Sequence, residues 1–431
     1  MRRYFVDVPY WDQWGLVPLI ERSYEGTLAF GDLWRQHNEH RLLVPRAVMI
    51  ALARRTQWRI GWELALSIAL AVGVFAVLNQ RLARALRTRA AGSLGWLHAI
   101  LALMLFSMSQ WDNWLWGWNL QIMLAVSSVV AGVLLLTASS PSRAACTMSG
   151  LLGVVASFSY GAGFAFWPIG MLAIALNRES SSGERRARAA VWFGLSAAVA
   201  LVYLHGYRET FDSYRMRRLL LSGDPEYWRR FAEYVCCYLG SPLLSYRQAP
   251  AFALGVAGAF GFCAFGARSL LRPADRAAQA FALLGFFSVV CAVMSAVGRG
   301  RLGAGQALES RYVAISSYLW IANAVVLGKL AIRGGGDAAA AGSWLRRMAV
   351  AFLVLMVALL CMNGEMGRRA AQRRSALLES AMRELLGPQD PALLGRLYPN
   401  TRLVLQYAEM LRARRLSFYR PGGIADATPA G

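Results

Sequence analysis

The residues of this 431-residue chain whose types could do chemistry crowd into its first forty-odd positions. They are Asp7, Asp12 within Tyr10-Trp11-Asp12-Gln13-Trp14, Asp32, and the run His37-Asn38-Glu39-His40-Arg41. A carboxylate or imidazole in such a group can act as a general base, the same groups can ligate a divalent metal, and a guanidinium can grip an anion. A solvated loop with interfacial tryptophans, and His37 and His40 on one turn of a surface helix, would carry the same residues. The compression of Asp7, Asp12, Asp32, Glu39, both imidazoles and Arg41 into one short segment argues for a site instead.

Two later stretches could work with this block. Gln110-Trp111-Asp112-Asn113-Trp114-Leu115-Trp116-Gly117-Trp118 places four tryptophans at the edge of an apolar run. Such residues form interfacial belts, but indole faces such as Trp114 and Trp116 beside Asp112 and Asn113 also stack on the apolar face of a sugar or hold a lipid head. Gly298-Arg299-Gly300-Arg301 followed by Glu309-Ser310-Arg311-Tyr312 sets arginines next to flexible glycines at the entrance to an apolar run. Arg299 and Arg311, with Tyr312, suit the grip of a lipid-linked phosphate at headgroup depth. Snorkelling to the lipid headgroups accounts for Arg299 and Arg301 nearly as well, and less well for Arg311.

The elements that must position these groups are membrane helices. An apolar content of 57% and a mean hydropathy of +0.38 exceed what a soluble domain carries, so the fold class is an all-α polytopic membrane protein. The formal charge of +22 does not imply nucleic acid, because the arginines lie between apolar runs, where anionic membrane lipids are the partners. Runs long enough to cross a bilayer fall near 60–79, 94–109, 120–138, 190–206, 250–267, 279–298, 312–332 and 348–363, and the stretch 146–177 is long enough for two helices joined at Ser159 to Gly163. That makes ten spans.

The basic short loops, with Arg81, Arg84, Arg87 and Arg89, then Arg178 to Arg188, Arg268 to Arg276, and Lys329 to Arg347, mark the cytoplasmic side. Three regions follow: an outer-face loop with the acidic motif and juxtamembrane helices at 1–58, a transmembrane domain at 59–363, and a small outer helical tail at 364–431. An outside amino terminus with nothing to carry it across predicts an eleventh helix upstream of Met1. Gly223-Asp224-Pro225 offers a helix cap and an N1 proline ahead of an interfacial amphipathic helix, and Gly387-Pro388 stops a helix in the tail. The six cysteines show no metal-ligand spacing, and Cys236-Cys237 falls in a long polar loop.

With Tyr10-Trp11-Asp12-Gln13-Trp14, Gln36 to Arg41, Asn113 to Trp118 and Ser310-Arg311-Tyr312 in view, the chain resembles bacterial polytopic proteins of the GT-C glycosyltransferase superfamily. The resemblance implies a transferase at the bacterial inner membrane, with its site facing the periplasm or exterior. It would move a sugar from a polyprenyl-phosphate carrier to a glycan, lipid or protein acceptor, with inversion. In that superfamily the acidic motif lies in the first outer loop, after a first transmembrane helix that this chain lacks. The resemblance implies Asp12 as base, with Asp7 second; Glu39 and His40 orient the acceptor or bind a divalent metal, His37 and Asn38 join them in the substrate- and phosphate-binding set, and Arg41 and Arg311 hold phosphate. Metal dependence stays open. An oligosaccharide polymerase or ligase would place arginines and histidines in a large late outer loop, and 207–249 has no histidine. A transporter would carry ionisable groups at mid-membrane depth, whereas here Glu63 and His98 lie near span ends.

Overall fold

The computed structural model describes residues 2–85, 95–138, 140–209, 214, 221, 223–270, 275–332 and 339–423. Among them seven helices are long and apolar enough to cross a membrane: Gly61–Ala85, Gly117–Leu136, Ser182–Leu204, Gln248–Leu270, Arg276–Leu302, Ser310–Ala331 and Ser343–Leu386. This marks a membrane-embedded helical protein. The stretch expected to hold two spans folds as the shorter apolar helices Arg143–Ser157 and Gly161–Ala175. The run at 94–109 is a helix of only 12 residues, Gly95–Phe106, followed by a 3-10 turn at Met108–Gln110.

Local chemistry starts and stops these helices. Ser181 and Glu184 form a reciprocal capping box that opens Ser182–Leu204, and the Asp224 carboxylate caps Pro225–Gly240 by accepting from the Glu226 N–H. That second helix is the amphipathic one expected, but it buries Tyr227, Tyr234, Cys237 and Tyr238 while Trp228 stays exposed. Cys236 and Cys237 therefore lie in a helix, not a polar loop, and all six cysteines are free.

One apolar core runs along the helices, with Val129, Phe166, Leu284 and Leu319 fully buried. A second core sits at one end, where Trp14, Trp58, Trp116 and Trp118 pack with Leu378, Leu397 and Phe418. Both termini thus fold into one module at that end. At the other end Arg81 donates to the Leu134 carbonyl at 2.7 Å, Arg276 to that of Leu136 at 3.3 Å, and Lys329 pairs with Asp275. Residues from three of the basic short loops, Arg81, Arg276 and Lys329, thus lie at this end. Arg87, Arg89, Arg272, Arg333 and positions 424–431 of the tail lie outside the described residues.

One expected boundary and one alternative reading differ from the structure. Position 364 falls inside a continuous helix of 48 residues, Ala339–Leu386, so the last span and the first tail helix are one element. The polar stretch after Asn363 remains helical, with Leu378, Ala381 and Leu385 buried in the second core and Glu365 pairing with Arg368 and Arg369 at i+3 and i+4. His37 and His40 lie not on a helix but in an antiparallel hairpin, Gln36–His37 with His40–Arg41, where they are cross-strand partners. Asn38 turns the hairpin with a φ of 48°, in the left-handed region that asparagine tolerates better than most residues.

Candidate functional site

The amino-terminal acidic motif is pinned from both sides. Trp11 takes a left-handed backbone with φ of 48°, and its N–H donates to the Leu397 carbonyl of the tail at 2.8 Å. A 3-10 helix follows at Trp11–Leu16, and from it Gln13 donates to the buried Glu63 carboxylate at 2.9 Å. Trp58 donates to the other Glu63 oxygen at 3.0 Å. Gly117 closes this corner, since a Cβ there would stand 2.0 Å from Glu63 Oε2. Only glycine lets the tryptophan loop approach this closely.

These contacts bring Asp12 into a cavity of about 580 Å³ at the module end of the bundle. Tyr10, Trp11, Trp111 and Trp116 give it aromatic walls, and Asp112, Glu309, Arg299 and Arg311 give it charge. Asn38 reaches it from the hairpin turn. The His37 Nε2 lies 3.4 Å from the Asp12 carboxylate, a contact without an aligned hydrogen bond, and its ring meets Trp118 edge-on at 5.1 Å. The Trp116 indole N–H donates to the Tyr10 carbonyl at 3.0 Å, and the Asp112 N–H donates to Ser310 Oγ at 2.9 Å. Burial pushes the Asp112 carboxyl up in pKa, against the pull of Arg374 and Arg311, and burial raises Glu309 likewise against Arg311.

Arg299 also lines a second, more apolar chamber of about 230 Å³ with Glu39, His40, Tyr160, Tyr238 and Tyr312, walled by Phe164, Cys291 and Met294. Its guanidinium lies 3.4 Å from Glu39 Oε2 and donates to the Tyr312 hydroxyl at 3.2 Å. Arg311 pairs with Glu309 at 2.6 Å, and its buried Nε has no hydrogen-bond partner among the described residues. The His40 ring lies 4.6 Å from that of Tyr160, and neither of its nitrogens has a partner among the described residues. A Cβ at Gly161 would stand 2.7 Å from His40 Nδ1, so glycine there makes room for the ring. Burial, with Arg299 and His37 adding to it, pushes the His40 pKa down to about 3, so the ring is neutral.

The predicted residues divide accordingly. Asp12, Asn38, Trp116, Arg299 and Arg311 share the larger cavity, His37 touches Asp12 at its edge, and Glu39, His40 and Tyr312 line the chamber. Three lie elsewhere. Asp7 is buried in the terminal module, accepting from the Ile60 N–H at 3.0 Å and pairing with Arg420 at 2.6 Å; burial, the largest influence on it, raises its pKa. Arg41 spends its guanidinium on the carbonyls of Tyr203, Trp34 and His205, which leaves it structural and not free for phosphate. Trp114 is buried in the bundle core with its indole N–H on the Ser107 carbonyl, away from any sugar.

Sequence reasoning passed over Asp112, Glu309, Tyr10, Trp111 and Tyr160 as site residues, although the first four lie two or three positions from residues it chose. Tyr160 carried no signal beyond its place in a turn. Among the described residues no group of three or more His, Cys, Asp or Glu side chains is placed to hold a metal ion. No protein-family model matches the chain, and neither does any curated protein or solved structure.

Proposed function

We propose that the protein is an inverting membrane glycosyltransferase that uses a polyprenyl-phosphate-linked sugar, working on the outer face of the bacterial inner membrane. One observation carries the reading: Asp12 shares a cavity with Arg299 and Arg311 at the end of an apolar helix bundle, and Arg299 also faces an apolar chamber. A carboxylate opposite paired cations at headgroup depth matches the two charges that such a transfer must manage. In this reading the seven long helices, with Gly95–Phe106, Arg143–Ser157 and Gly161–Ala175, make ten crossings.

The chemistry follows from the residues. The Asp12 carboxylate accepts the proton of an acceptor hydroxyl, the oxygen bonds to the anomeric carbon, and the bond from that carbon to the phosphate oxygen breaks. The electron pair leaves on polyprenyl phosphate, whose charge Arg299 and Arg311 hold. Attack opposite the leaving group inverts the anomeric centre. His37, against Asp12, orients the carboxylate, and the neutral His40 with the tyrosines lines the approach of the carrier's first isoprene units. No step runs through a metal.

The test is direct. Purified protein in lipid vesicles, given a pool of radiolabelled polyprenyl-phosphate sugars and a cell-envelope extract as acceptor, should release free polyprenyl phosphate. No release, with net passage of the lipid-linked sugar or a solute across the bilayer, would overturn the proposal in favour of a transporter.

A further inference from the structure

Trp11 is an unusual place to spend an indole. Its backbone is left-handed, like that of the buried Trp58, a conformation that a bulky side chain adopts only where its surroundings impose it. The imposing contact comes from the far end of the chain, the Leu397 carbonyl. The result is a side chain on the cavity wall that is 43% exposed, while Trp14, Trp58 and Trp114 are fully buried. Beside it the aromatic wall is interlocked: Tyr10 meets Trp11 edge-on at 6.3 Å and Trp116 at 5.4 Å, and the Arg374 guanidinium lies 4.3 Å from the Tyr10 ring centre.

We propose that Trp11 is the stacking platform for a carbohydrate acceptor, held in place by the carboxy-terminal tail. The word acceptor rests on the transferase reading; the binding of a sugar ring does not. Three features favour a glycan over a lipid or a peptide. The exposed indole offers a flat apolar face, which pairs with the C–H face of a pyranose or furanose. Around it lie carboxylates, Asp12, Asp112 and Glu309, which accept from ring hydroxyls. The cavity is far more polar in lining than the chamber beside it, and its volume of about 580 Å³ falls in the range of sites for small ligands.

The experiment reads binding, not transfer. Full-length protein in lipid nanodiscs is titrated with neutral gluco-, manno-, galacto- and arabino-oligosaccharides, followed by saturation-transfer NMR on the sugar protons. At least one series should bind the wild type, with the ring protons of one residue most strongly saturated. Trp11→Ala should weaken that binding about tenfold or more, Trp11→Phe should retain most of it, and both should keep the wild-type melting temperature to within a few degrees. Absence of binding by every series, or equal binding by Trp11→Ala, overturns the proposal. So does strong quenching of the Trp11 contribution to fluorescence by brominated lipids, which would make it a bilayer anchor. If vesicles release no polyprenyl phosphate while Trp11-dependent sugar binding persists, the transferase reading fails and the platform stands.

Discussion

His40 shows what one residue's surroundings do to its chemistry. An imidazole in water titrates at about 6.5, whereas in the chamber its pKa is pushed down to about 3. Between those values the unfolded chain binds a proton that the folded chain does not, so the native state loses stability as pH falls through this window and gains nothing from the group above it. His40→Phe keeps a flat ring and removes the titration. Its melting temperature should therefore drop less between pH 7 and pH 5 than that of the wild type, and equal slopes would contradict the burial described. Not all of the site's residue types were open to such reading. Asp12 and Asp7 look alike in sequence, both beside aromatic or apolar neighbours, and what separates them is remote: Ile60 and Arg420 claim Asp7, while Arg299 and Arg311 share the cavity of Asp12. Arg41 is likewise claimed by carbonyls at Tyr203 and His205. A sequence shows which groups are charged, but the partner that consumes a charge arrives through tertiary packing.

At the scale of elements, the apolar runs and caps were legible because their causes are local. Length and hydropathy mark the spans, and Asp224-Pro225 marks a helix start. The hairpin at Gln36–Arg41 was not, since Asn38-Glu39 is a weak turn signal and two-residue strands carry no periodicity. The end of the apolar run near 363 marks a span exit in sequence, but the helix continues into the module, where Leu378, Ala381 and Leu385 find a core that only tertiary packing supplies. Gly117 tests how tightly these elements meet. Gly117→Ala would drive a methyl into the Glu63 carboxylate and the Gln13 amide, which stand 2.0 and 2.8 Å from the new Cβ. Overpacking of this kind costs about 1–3 kcal/mol. The variant should show a lower melting temperature in detergent and a disturbed cavity; an unchanged melting temperature would mean that the loop is free to retreat.

For the whole molecule, the second core joins both termini at the end of the bundle opposite Arg81, Arg276 and Lys329. The positive-inside rule applied to that pattern predicts that residues 1–58 face outside. Cysteines introduced one at a time at the exposed Thr27 and Ser182, in a background free of native cysteines, report on it with an impermeant thiol reagent in intact cells. Labelling at Thr27 with protection at Ser182 is expected, and the reverse pattern would turn the protein over and put the cavity in the cytoplasm.

The central claim, that Asp12 takes the acceptor proton while the arginines hold the carrier phosphate, is tested most directly by the transfer rate of Asp12→Asn. Asparagine keeps the size and the hydrogen-bonding reach of aspartate and removes the proton acceptor. Sugar transfer in vesicles should fall about 100-fold or more while donor binding stays at the wild-type level. Arg311→Ala, by contrast, should weaken donor binding together with turnover, because its grip on phosphate operates in both the ground and the transition state. Near-normal transfer by Asp12→Asn would contradict the account.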